Sequence, residues 1–130
     1  MKTRLLGSLA LFSAAILLRG QDAIGAGTYK GEWHGASGGG EIHLTFRADG
    51  NGGLKPEAGF TLDSQEVACK VLSFKPDGAK FKMVYEFDLE GNTMHSAIEG
   101  TVKGKTIEGT YKTTAADQDV DSGTWKASAP

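Results

Sequence analysis

Residues 80–90, Lys80-Phe81-Lys82-Met83-Val84-Tyr85-Glu86-Phe87-Asp88-Leu89-Glu90, decide how the rest of the chain is read. Phe81, Met83, Tyr85, Phe87 and Leu89 share one parity, and Lys82, Glu86 and Asp88 share the other. Successive side chains of a β-strand point to opposite faces, so this period of two describes a strand with one buried and one wet face. The same parity turns Ile42, Leu44 and Phe46 inward, and likewise Met94, Ser96, Ile98, Gly100 and Val102.

Short alternating runs of this kind recur from residue 27 onward, broken every eight to twelve residues by turn formers, and no helical period competes with them. Strands are expected at 27–34, 41–48, 58–62, 65–74, 79–89, 94–103, 105–113 and 122–128. The breaks are Ala36–Gly40, Asp49–Gly53, Pro76-Asp77-Gly78, Glu90-Gly91-Asn92 and Gly104-Lys105. Gly, Asn and Asp accept the positive φ that tight turns need. Eight sequential strands with one apolar face each predict an all-β fold: an antiparallel up-and-down meander closed into a barrel, with a two-sheet sandwich as the alternative.

One pattern is written four times: Gly27-Thr28-Tyr29-Lys30, Gly100-Thr101-Val102-Lys103, Gly109-Thr110-Tyr111-Lys112 and Gly123-Thr124-Trp125-Lys126. On a strand it puts Gly and the large apolar residue inside and Thr and Lys outside. If Gly104-Lys105 forms a two-residue turn, Gly100 falls opposite Gly109 and bares the backbone at one notch of the inner wall.

Gly31-Glu32-Trp33 on the first strand, followed by a Gly-rich meander, resembles the Gly-x-Trp opening of calycins, the lipocalin and avidin group. That resemblance implies a barrel whose interior or mouth binds a small molecule. No later Thr-Asp-Tyr motif and no C-terminal helical pattern accompany it.

Lys2 and Arg4 precede an apolar run from Leu5 to Leu18 that stops at Arg19, the pattern of an export signal. A spanning helix needs roughly 20 apolar residues, which this run lacks. Residues 1–25 are therefore read as a signal peptide cleaved between 20 and 26, and residues 26–130 as one domain of a periplasmic or extracellular protein. The mature chain would hold 11 basic against 16 acidic residues if Asp22 stays, or 15 if cleavage removes it, a charge of −5 or −4, which argues against nucleic-acid binding. No integral membrane segment is expected in it. Cys69 is the only cysteine, so no intramolecular disulfide can form, and its parity predicts a small buried hydrophobe.

The inward parity gathers Tyr29, Trp33, Tyr85, Tyr111 and Trp125, interrupted by Ser96, Gly100 and Gly109. These eight are the candidate ligand-binding residues. Their rings either line a cavity for an apolar or amphipathic ligand or fill the barrel themselves. Outside, Glu32-Trp33-His34 and Glu41-Ile42-His43 would form two cross-strand charge pairs, or a four-ligand cluster, if Trp33 lay opposite Ile42. Asp117, Asp119 and Asp121 alternate but lack the Gly and Glu spacing of a calcium loop, and read as an acidic hairpin.

Chemistry is poorly signposted: His34, His43 and His95 take the outward parity, Cys69 the inward one, and no Gly-x-Ser-x-Gly elbow surrounds a serine. No catalytic residue and no cofactor is expected. The partners expected are a small hydrophobic ligand or, on the rival reading of a solid-cored interaction or inhibitor module, a protein met through the loops.

Overall fold

The computed structural model describes residues 23–130, so all but the last three positions of the expected signal peptide lie outside the described residues. Nine strands follow one another: β1 Gly27–Gly35, β2 Gly38–Ala48, β3 Leu54–Leu62, β4 Gln65–Ala68, β5 Lys70–Asp77, β6 Lys80–Leu89, β7 Asn92–Lys103, β8 Thr106–Ala115 and β9 Gln118–Ser128. They form one antiparallel up-and-down sheet in the order β4-β3-β2-β1-β9-β8-β7-β6-β5. Among the described residues no helix is long and apolar enough to cross a membrane.

The two strands at the ends of that order are neighbours in the chain, separated by Cys69 alone. Antiparallel alternation makes β4 and β5 run the same way, and the Cys69 amide extends the β4 ladder by donating to the Ala58 carbonyl at 3.3 Å. Residues 65–77 thus form one interrupted strand, bonded to β3 along its first part and to β6 along its second. The expected strand at 65–74 is this element, and through it the sheet curls round to meet itself. Leu72 is left over where Val71 pairs with Tyr85 and Ser73 with Val84; this bulge leaves Leu72 45 % exposed and brings Phe74 into the core.

The first hairpin corrects an expectation. The glycines at 38–40 belong to β2 rather than to a loop, and Gly35 pairs with Gly38 across the two-residue turn Ala36-Ser37. Trp33 therefore lies opposite Gly40, not Ile42, and Glu32 opposite Glu41. The four-residue Glu and His cluster does not form: His43 bonds Glu66 at 2.8 Å, and His34 lies 3.4 Å from Glu32. A two-residue turn uses only Ala36 and Ser37, so Gly38 to Gly40 are free to pair with the end of β1.

Alternate turns lie at opposite ends of an up-and-down barrel. At the end carrying the β2–β3, β5–β6 and β7–β8 turns the interior is solid: Leu44, Met83 and Ile107 are wholly buried. Phe46 is the hub, with ring centroids 5.4 Å from Phe74, 5.8 Å from Phe81 and 5.9 Å from Tyr29. Gly100 does pair with Gly109, and the Phe81 and Trp125 rings occupy the space above Gly100. Cys69 is half-buried rather than fully buried; burial, then the charge of Glu66, pushes its thiol up to about 12.

A Cβ on Gly109 would run into the Glu99 carbonyl, a backbone atom that cannot swing aside. Gly109→Ala is expected to lower unfolding stability by about 1–3 kcal/mol, the usual cost of overpacking a tight site. Urea denaturation checks this, and an unchanged midpoint would contradict the close approach.

Candidate ligand-binding site

The other end, carrying the turns at 35–38, 62–65, 89–92 and 115–118, is hollow. A cavity of 370 Å³ opens there, within the size range of small-molecule sites. Trp33, Ile42, Phe60, Phe87, Met94 and Trp125 form its apolar walls. Phe60 of β3 and Phe87 of β6 meet edge to face at 4.9 Å, covering the seam where β4 makes no ladder to β6. Each indole N–H is occupied, that of Trp33 by the Thr61 carbonyl at 3.0 Å and that of Trp125 by the Thr110 carbonyl at 3.2 Å. Buried Trp normally finds such a partner, and the bond fixes the ring's pose.

Three hydroxyls interrupt the apolar wall. Ser96 and Thr113 face each other across β7 and β8, 2 % and 6 % exposed, with their oxygens 2.6 Å apart. Tyr85 pairs with Ser96 from β6 and borders the same cavity. Burial, then the nearby Cys69 sulfur, pushes the Tyr85 phenol well above its ordinary value, while the Ser96 hydroxyl works in the opposite sense. The two hydroxyls of Ser96 and Thr113, joined by one bond, leave one proton and several lone pairs unused, so the pair can offer a donor or an acceptor to a molecule in the cavity.

The rim carries the charge. The Tyr111 hydroxyl donates to Asp121 Oδ2 at 2.7 Å, and the Ser37 amide donates to Oδ1 at 3.1 Å. Partial burial pushes the Asp121 carboxyl up, but bonds from Tyr111, Ser37 and the Ser122 amide outweigh it and hold the group below its ordinary value. Burial first, and then the bond to Asp121, pushes Tyr111 the other way.

Asp121 reaches this position through a bulge. Thr113 pairs with Asp121 and Thr114 with Asp119, leaving Val120 unpaired, so that Val120 and Asp121 both border the cavity. Gly35 must lack a side chain here, because a Cβ would overlap the Tyr111 hydroxyl.

Of the candidate residues named from sequence, Trp33, Tyr85, Ser96, Tyr111 and Trp125 line this cavity together. Tyr29 packs on Phe46 at the solid end, and Gly100 and Gly109 lie outside the lining. Thr113, Asp121, Phe60 and Phe87 also line it and are not among the eight candidates. Thr113 carried a signal, since it shares the parity of Tyr111 and the hairpin register puts it opposite Ser96. Among the described residues no group of three or more His, Cys, Asp or Glu side chains is placed to hold a metal ion.

The shifted groups fix a pH dependence. Tyr85 and Tyr111 keep their protons when folded at pH values where the unfolded chain has lost them, so stability falls as pH rises past the ordinary 10.0. Asp121, depressed when folded, gives a contribution that is complete above the ordinary 3.8 and lost as pH falls below it. Denaturant titrations across pH should show both declines, and Tyr111→Phe should lessen each; identical profiles would contradict the Tyr111–Asp121 bond. Compared with protein-family models, curated proteins and solved structures, the chain matches none.

Proposed function

We propose that this is an exported binding protein that carries or sequesters a small apolar or amphipathic molecule at the mouth of a calycin-like barrel. The observation that supports the reading best is an asymmetry. Small eight-stranded barrels are just wide enough for side chains to fill, and one end of this barrel is filled in that way. The other end keeps 370 Å³ open behind fixed aromatic rings and a buried Ser96–Thr113 hydroxyl pair with bonding capacity to spare. Open apolar volume with a few convergent polar groups is the usual form of a small-molecule site. The rival, a solid-cored module acting through its loops, has no comparable feature in its favour. Export rests on the N-terminal pattern Lys2 to Arg19.

Trp33 and Trp125 border the cavity and report on it. Titration with a panel of lipids and hydrophobic dyes should quench or shift their fluorescence saturably for at least one compound, and a bound ligand at about 100 times its Kd should add about 2.7 kcal/mol to stability. Ser96→Leu, which replaces one hydroxyl of the Ser96–Thr113 pair with an apolar side chain, should weaken that response. No saturable change with any compound would sink the proposal.

A further inference from the structure

The charge around the mouth says what kind of molecule it takes. Among the described residues the cavity is bordered by two ionisable acids, Asp63 and Asp121, and by no lysine, arginine or histidine. The turns at that end, 35–38, 62–65, 89–92 and 115–118, carry Asp63, Glu90 and Asp117 without one basic residue, and Asp119 and Asp121 follow at the start of β9. Within two residues of the turns at the opposite end lie Arg47, Lys55, Lys75, Lys80, Lys82, Lys103 and Lys105 against Asp49, Asp77 and Glu108, so the barrel is electrically polar along its axis. Asp119 is engaged by Lys112 at 3.2 Å, whereas Asp121 accepts only from neutral donors, Tyr111, Ser37 and Ser122. A cleft lined by one sign of charge with low-dielectric walls concentrates the opposite sign and repels its own.

Resting on the proposal of a small-molecule site, we infer that its ligand is a small amphipathic cation, an amine on an apolar or aromatic body, with the ammonium beside Asp121 and the body between Trp33, Phe60 and Phe87. An anionic amphiphile such as a fatty acid would bring its carboxylate to a rim with no cation, where desolvation goes uncompensated. An ammonium meets a carboxylate there, and the ring of Tyr111, bonded to Asp121 and 5.9 Å from Trp33, adds the attraction of an aromatic face. The volume limits the body. At roughly 30 Å³ for each water-sized group, the space holds on the order of a dozen non-hydrogen atoms.

Three matched probes test this by isothermal titration calorimetry: phenylbutylamine, phenylbutanol and phenylbutyrate. The amine should bind about tenfold tighter than the alcohol, as a partly buried charged hydrogen bond supplies, and the acid should bind weakest. The amine's advantage should shrink with added salt and disappear in Asp121→Asn, which keeps an oxygen to accept from Tyr111. Should that variant fail to fold, Asp63→Asn should reduce the advantage in part. An alcohol or acid that binds as tightly as the amine overturns the charge inference and leaves the binding site standing. No binding by any of the three overturns both.

Discussion

The strand from Gln65 to Asp77 is the constraint on which the rest of the molecule depends. Among the described residues it is the one element hydrogen-bonded to both ends of the sheet, to β3 through Gln65–Ala68 and to β6 through Lys70–Asp77. Unpaired strand edges leave backbone groups open to other chains, and closure removes them. Sharing one strand between two neighbours has a cost as well, because each neighbour lacks a partner along part of its length. Side chains cover the two seams. Phe74 lies with Phe46 and Phe81 at one, and Phe60 meets Phe87 at the other.

Those two sets of rings also divide the interior. Below, aromatic rings at centroid distances of 5.4 to 5.9 Å around Phe46 fill the barrel. Above, Ser96 and Thr113 interrupt the wall of large apolar and aromatic side chains, and space remains. Two serine- and threonine-sized side chains facing each other cannot span what Phe81 and Trp125 span above Gly100. The same alternation of large and small residues that packs one end therefore leaves the other hollow. The Ser96 and Thr113 hydroxyls at the hollow end bond each other and keep capacity to spare, which distinguishes the site from a void in an oily core.

Parity carried most of the fold into view. The runs around Phe81–Leu89 and Met94–Val102 each have one apolar face, and the strands lie within a few residues of where the alternation puts them. The Gly100 and Gly109 pairing followed from a two-residue turn. What stayed hidden came from departures from parity. Bulges at Leu72 and Val120 each insert one residue out of phase, and no local composition marks them. Asp121 therefore read as part of a solvated acidic hairpin, although the bulge turns it to the cavity rim. The β1–β2 register was misjudged because Gly38-Gly39-Gly40 has the composition of a loop. Its glycines instead leave room beside Trp33, whose indole N–H reaches past Gly40 to Thr61. Phe60 and Phe87 had the right parity, but their meeting depends on sheet closure, which a list of strands does not contain.

Everything proposed about function rests on the mouth being open and the base being closed. Diffraction from a crystal of the protein held under xenon measures this most directly, since xenon settles in apolar space that side chains leave free. The account predicts xenon among Trp33, Phe60 and Phe87 and none among Phe46, Phe74 and Phe81. Rings collapsed across the mouth, with no xenon between them, would contradict it.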